Sequence, residues 1–210
     1  MANDTDDRKR PHLRLVVNNP DLRKGRPAAG EEPFILFEEL LAKRGEFRVS
    51  FYQELPRWQA KAYEMLERFL DRKVVPYGLD PLHGRLVVIP AERVCPEILA
   101  HGGSSQDEVL LFVAEDPAGG GGCLSLEMIL PFWSDDDGVM EEALFTAPIL
   151  PYGTLFLEEN RQDGYLDLIY RVAVPIYPPA LTSRLVERLF GIAAYELAET
   201  LRSLDAFPSA

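Results

Sequence analysis

The order of hydrophobic patterns between Pro56 and Leu204 constrains the fold of this chain more than any other feature of its sequence. The patterns predict a helix, three strands, a short central segment, a two-strand hairpin and a long closing helix. The closing helix needs a large flat surface to cover its apolar side, and a sheet provides one. The sequence therefore predicts an α+β fold: an antiparallel sheet of about five strands covered by helices, with a long amphipathic C-terminal helix.

Two helices are predicted ahead of the first strand. The earlier one begins at Pro33, a residue suited to a first helical turn, and ends at residues 43–45, where Lys, Arg and Gly are typical of a helix C-terminus. The later one begins at Pro56 and carries a single apolar stripe at helical spacing. Its charged residues, Glu67 among them, are expected to lie largely in solvent. The stripe consists of Trp58, Ala62, Met65, Leu66 and Phe69.

The strands are predicted from β-branched and alternating segments. The first strand covers residues 85–89, and residues 109–114 form a hairpin with residues 123–130. A second hairpin joins residues 154–158 to residues 165–174, because Asp and Gly supply turn chemistry just before the returning strand. The prolines that follow are expected to end strand pairing.

The end of the chain is predicted to be one helix of about six turns. Thr182 or Ser183 has the side chain expected of its N-cap. An unbroken apolar stripe follows, so one whole side of this helix must be buried. The stripe is formed by Val186, Leu189, Phe190, Ala193, Leu197, Leu201 and Leu204.

Charge divides the chain into a basic N-terminal arm, residues 1–30, and one acidic domain, residues 31–210. The chain carries a formal charge of -12 over 210 residues, but the arm holds seven Lys and Arg against four Asp, so the domain carries the whole acidic excess. An acidic domain repels nucleic acid and anionic lipid. Any contact with phosphate would therefore come from the arm, whose composition cannot bury enough apolar surface to order itself.

A short apolar segment lies inside the arm. Residues 12–17 read His-Leu-Arg-Leu-Val-Val, in which Leu13 and Leu15 alternate with other residues before Val16 continues the apolar run. This pattern suits an extended segment that adds to a sheet edge. The alternative is that it forms the first strand of the domain or has no binding role.

The sequence matches no complete catalytic or ligand-binding motif. Asp135, Asp137 and Gly138 match three places of a calcium loop, but Trp133 and Leu144 would then occupy ligand places that neither residue can fill. The four glycines at residues 119–122 lack the Lys-Ser/Thr of a phosphate loop. The sequence therefore predicts no catalytic residue, no cofactor and no metal site.

The histidines and cysteines give no stronger signal. His83, His101, Cys95 and Cys123 lack the close spacing that preorganises a zinc site, and two cysteines are too few for a disulfide framework. Structural or solvated roles are the expectation for all four. With no apolar run of about 20 residues and no signal peptide pattern, the chain is expected to be cytoplasmic and not bound to a membrane.

The element order over residues 56–204 resembles the fold shared by type III secretion chaperones and YbjN-like bacterial regulators. Residues 164–176, which read Gly-Tyr-Leu-Asp-Leu-Ile-Tyr-Arg-Val-Ala-Val-Pro-Ile and precede a helix, are the most similar part. The resemblance implies a small acidic protein that binds other proteins rather than catalysing a reaction, and these families often form dimers. It assigns no role to any single residue. The arm and the Pro33 helix lie outside the resemblance.

Aromatic residues on predicted loops are the candidate partner contacts. Phe132 and Trp133 lie beside an acidic turn, and Tyr152 and Tyr177 lie near strand ends. Aromatic side chains rimmed by charge are typical anchors at protein interfaces, although they also close hydrophobic cores. Together with Leu13, Leu15 and Val16 of the arm, they form the predicted partner-binding set.

The sequence thus favours a non-catalytic protein-binding or regulatory module, chaperone-like in character, with an unidentified protein partner and a homodimer left open. One alternative is an enzyme or small-ligand-binding protein whose site is assembled from residues far apart in sequence, which no motif would reveal. A second alternative is nucleic-acid contact through the basic arm.

Overall fold

The structure of the protein is a computed structural model that describes residues 35–115, 122–132, 134, 136–159, 165–176 and 182–205. The helices are α1 (Phe37–Ala42), α2 (Arg44–Tyr52), α3 (Arg57–Lys73), α4 (Asp137–Thr146) and α5 (Ser183–Leu204). The strands are β1 (Gly78–Asp80), β2 (Leu86–Pro90), β3 (Glu108–Glu115), β4 (Gly122–Ile129), β5 (Gly153–Glu159) and β6 (Leu166–Ile176). Two short 3-10 segments, Ala91–Arg93 and Pro96–His101, connect β2 to β3.

The strands form one antiparallel sheet in the order β1-β2-β3-β4-β6-β5. This confirms the predicted α+β fold and both hairpins, with six strands in place of about five. The apolar stripes of α3 and α5 join the inward-facing residues of all the longer strands in a single core. The α5 helix begins at the predicted cap, where the Thr182 side chain accepts a hydrogen bond from the backbone of Leu185.

The other face of the sheet is covered by α1 at one end. Leu40 of α1 is buried against Leu86, Val88, Leu110 and Phe112, which belong to β2 and β3. Gly78 permits this contact, because a Cβ at that position would lie 2.4 Å from Leu40 Cβ. Both faces of this half of the sheet are therefore buried, which is why β2 reads as a continuous apolar run.

Four predictions about the elements were wrong in detail. The first helix ends at Ala42, with Lys43 as its C-cap. A second helix, α2, follows at once and contains Gly45, so Gly45 does not end the helical segment. The three-residue strand β1 was not predicted, since it is too short to show a period of two. Strand pairing continues past residue 174, because Cys123 lies opposite Pro175 and Gly122 opposite Ile176. The predicted start at Pro33 lies outside the described residues.

The fourth correction concerns Glu67, which is buried rather than solvated. Its carboxylate accepts hydrogen bonds from the hydroxyls of Tyr52 and Tyr77, the latter at 3.0 Å, and Arg48 Nη2 lies 3.5 Å away. A buried carboxylate is tolerated only with such partners. This network joins α2 and the approach to β1 onto α3, so it holds the small helical layer against the domain.

A half-buried acid, Glu108, lies where α1 begins. It accepts a hydrogen bond from the backbone N–H of Phe37, while its Oε2 is buried without a hydrogen-bond partner among the described residues. Burial, together with the nearby carboxylates of Glu38 and Asp107, raises the pKa of Glu108 to about 8. The native protein therefore binds a proton here at neutral pH that the unfolded chain does not.

Glu108 should make the protein less stable as pH rises. In the window between the ordinary glutamate pKa of 4.5 and about 8, the native state holds more protons than the unfolded state, so the free energy of unfolding falls with increasing pH. We expect Glu108→Gln to flatten this fall when urea unfolding is measured at pH 5, 6.5 and 8. Glu115→Gln, at the exposed end of the same strand, should keep the wild-type slope. A Glu108→Gln protein with the wild-type slope would contradict the assignment.

Candidate functional site

A groove of about 370 Å³ lies between α5 and the segment that leads into β5. We call it the α5 groove. Its surface is almost entirely apolar, with an arginine at its side and a buried acid at its base. The lining residues are Pro151, Tyr152, Arg188, Gly191, Ile192, Tyr195 and Glu196.

Glu196 fixes the geometry of the α5 groove. It is only 1% exposed, on the buried side of α5, and its two carboxylate oxygens accept hydrogen bonds from two different parts of the chain. Tyr170 Oη of β6 donates at 2.7 Å, and the backbone N–H of Tyr152 donates at 2.9 Å. The carboxylate therefore ties one wall of the groove, residues 151–153, to the helix that forms the other wall.

Tyr170 is locked into the same arrangement. Its ring is fully buried in the core, and burial together with the hydrogen bond to Glu196 raises the pKa of its hydroxyl far above the ordinary value. The hydroxyl therefore stays protonated and remains a donor throughout the range in which proteins are folded. Glu196 and Tyr170 are structural partners here and offer no free acid or base to a ligand.

Gly153 allows the groove wall to approach this pair. A Cβ at position 153 would lie 2.5 Å from Glu196 Oε2 and 2.6 Å from Tyr170 Cε2, both closer than real contacts allow. Gly191, on the facing side of α5, differs: a Cβ there would meet nothing within 4 Å. One glycine is thus required by close packing, and the other leaves open space within the groove.

Large apolar side chains are exposed around the α5 groove. Tyr152 is 60% exposed and Tyr195 is 64% exposed, one on each wall, and the Arg188 guanidinium lies 5.9 Å from the centre of the Tyr152 ring. Ile149, two residues before Pro151, and Phe145, at the end of α4, are almost wholly exposed. Exposed apolar side chains gathered next to a groove are typical of a binding surface.

The predicted partner-binding residues have different outcomes. Tyr152 lies at the groove as an exposed aromatic. Phe132 is half-buried and packs against the main core, as its alternative role predicted. Trp133, Tyr177, Leu13, Leu15 and Val16 lie outside the described residues, so their predicted role stays a prediction.

Sequence reasoning missed the α5 side of the groove. Tyr195 and Arg188 were not singled out, because one tyrosine and one arginine on the polar side of a long helix are ordinary. Glu196 offered a detectable signal: it lies three residues after Ala193 and four before Thr200, and so falls on the buried stripe. A charged residue on a buried stripe indicates a specific hydrogen-bonded partner.

Other reactive groups in the described part of the chain are isolated or already bound. No group of three or more His, Cys, Asp and Glu residues with metal-binding geometry occurs there. His101 Nδ1 lies 2.7 Å from Asp205 Oδ2, joining the end of α5 to the second 3-10 segment. Burial raises the pKa of the Cys95 thiol to about 11, which leaves it a poor nucleophile at neutral pH.

Comparison with known proteins adds no family assignment. No protein-family description matches the chain, and no curated protein matches it. Among the helices of the described ranges, none combines the length and the apolar character needed to cross a bilayer.

The two groove glycines make a matched test of this geometry. We expect Gly153→Ala to lower the free energy of unfolding by about 1–3 kcal/mol, because the added methyl group overlaps Glu196 and Tyr170. Gly191→Ala should leave stability unchanged or raise it by up to about 1 kcal/mol, since alanine favours the helix and its Cβ meets open space. Urea unfolding of both proteins measures the difference. Equal effects of the two substitutions would contradict the close contact at Gly153.

Proposed function

We propose that this protein is a non-catalytic protein-binding module and that it binds a segment of its partner in the α5 groove. The observation that carries the proposal is the pair of exposed tyrosines, Tyr152 and Tyr195, on opposite walls of an apolar groove. The hydrogen bond from the backbone of Tyr152 to Glu196 of α5 fixes the position of one wall relative to the other. Tyrosine contributes large contact area at a small cost in conformational entropy, which is why it is enriched among energetically dominant interface residues.

The groove defines the chemistry of the segment it would receive. Its apolar lining favours one aromatic or branched aliphatic side chain of the partner. Arg188 at its side favours a carboxylate next to that side chain. Ile149, two residues before Pro151 of the groove lining, is a further exposed apolar side chain. A short amphipathic segment with an apolar anchor and an adjacent acidic residue fits these features.

A chaperone-like role is part of the proposal. It rests on the element order from α3 to α5, which differs from the order of the type III secretion chaperones and YbjN-like regulators by the additional short strand β1. Binding to another protein without catalysis is what that resemblance implies. A cytoplasmic location is proposed on the same basis, and the two free thiols, Cys95 and Cys123, are consistent with a reducing compartment.

Selection from a random peptide library on the full-length protein tests the proposal. We expect enriched peptides to carry an aromatic or large aliphatic residue beside an acidic one. Tyr195→Ala and Tyr152→Ala should each weaken binding of these peptides about tenfold or more, as loss of a central anchor does. Leu82→Ala, which removes an exposed apolar side chain from the β1–β2 turn, is the matched control and should leave binding unchanged.

Both tyrosines are exposed, so their replacement should leave the fold intact, and circular dichroism with thermal unfolding checks this. The proposal is wrong if no peptide is enriched, or if the enriched peptides bind the two tyrosine variants as tightly as the wild type.

A small apolar ligand is a second candidate occupant, because a volume of about 370 Å³ lies within the range of about 300–1,000 Å³ found for small-molecule sites. Each oxygen of the buried acid already accepts one hydrogen bond from the protein, and the rest of the groove surface is almost entirely apolar, so there is little polar recognition for such a ligand. Saturable binding of a small apolar dye that Tyr195→Ala abolishes, with no peptide enriched, would favour this candidate over a protein segment.

A further inference from the structure

The side of the sheet that faces away from α3 and α5 is only partly accounted for by the described residues. The half that α1 covers ends at β3, where Phe112 and Ala114 belong to the apolar cluster around Leu40. Beyond β3, the strands β4, β6 and β5 continue the same face. We call this region the outer face. Its residues are Cys123, Ser125, Glu127, Ile129, Asp167, Ile169, Arg171, Ala173, Pro175, Thr154, Phe156 and Glu158.

The centre of the outer face is apolar and buried. Ile169 is 2% exposed, yet it belongs to neither of the two hydrophobic clusters. It lies between Ile129 and Phe156 in the register of the sheet, and both of these are half-buried. Ser125 and Glu127 in the neighbouring strand are also buried. Within the described ranges no helix supplies apolar cover over these residues.

The described chain begins beside this region. The backbone N–H of Phe37 donates a hydrogen bond to Glu108 of β3. Glu108 lies in the cross-strand row of residues that continues through Ile129 and Ile169 to Phe156. Seventeen residues lie between Val17 and Ile35, and a flexible chain of this length spans about 21–25 Å. The distance across three strand spacings, from β3 to β5, is only about 15 Å. The N-terminal arm is therefore long enough to reach the row that runs from Ile129 through Ile169 to Phe156.

The arm also matches the outer face in pattern and charge. The row Ile129, Ile169 and Phe156 is apolar. Beside it, Arg171 pairs with Glu127 at 2.6 Å, and its guanidinium lies 4.7 Å from the centre of the Phe156 ring. In residues 12–17 of the arm, leucines alternate with Arg14, and the arm is basic while the domain is acidic. An extended segment bound here would turn its leucines to the apolar row and Arg14 to the opposite side.

We propose that residues 12–17 of this same chain bind the outer face, over Ile169 and its neighbours. The arm then covers the apolar row intramolecularly and leaves the α5 groove, on the opposite side of the sheet, open to a partner. This inference is independent of the proposed function, because it involves none of the groove residues.

Thiol labelling of the full-length chain tests the proposal. In a Cys123→Ser background, Ile169→Cys places a thiol at the centre of the outer face, and buried Cys95 reports any global unfolding. We expect slow maleimide labelling at position 169 and at least a tenfold faster rate after Leu13→Asp and Leu15→Asp are added. Asn18→Asp with Asn19→Asp adds the same charge next to the segment and should leave the rate slow. Phe156→Cys replaces Ile169→Cys if that protein does not fold.

Two results would overturn the proposal. Equal labelling rates with and without the leucine substitutions would mean that the arm does not cover position 169. A rate that rises on dilution of the protein with the intact arm would show that a second copy, and not the chain's own arm, covers the outer face.

Discussion

The position of α5 on the sheet depends on one buried carboxylate. A carboxylate placed in a protein interior costs several kcal/mol unless its oxygens accept hydrogen bonds, so Glu196 constrains the donors that surround it. Its two donors come from β6 and from the segment before β5, parts of the chain that hydrophobic contact alone would not hold in one arrangement. The apolar stripe of α5 supplies the energy of packing, and the two hydrogen bonds to Glu196 join α5 to β6 and to the segment before β5. The α5 groove exists because this arrangement leaves the Gly191 side of the helix uncovered.

The parts of the fold that sequence reasoning identified are those with long, clear periods. The stripe from Val186 to Leu204 and the two hairpins were predicted because many residues repeat the same pattern. Strand β1 and helix α2 were missed, since three residues show no period and the glycine in α2 imitates a helix end. Glu67 was assigned to solvent because helical spacing assigns a residue to a side of the helix but says nothing of the tyrosines that come to meet it.

The site was only partly readable for a related reason. Tyr152 was singled out as an aromatic residue near a strand end, and it does lie on a groove wall. Tyr195 lies 43 positions later, and no local pattern joins the two. Their proximity comes from the packing of α5 on the sheet, with Glu196 and Gly153 between them. Sites of this kind, built from ordinary surface residues, become visible only when the register of a helix on its sheet is known.

Photo-crosslinking in the cells that produce the protein tests the central claim, that the α5 groove binds another protein, most directly. A benzophenone amino acid at position 195 should form a covalent adduct with one dominant protein, whereas the same group at Val74, an exposed site at the end of α3, should not. Adducts that are absent at position 195, or that form equally at position 74, would contradict the claim.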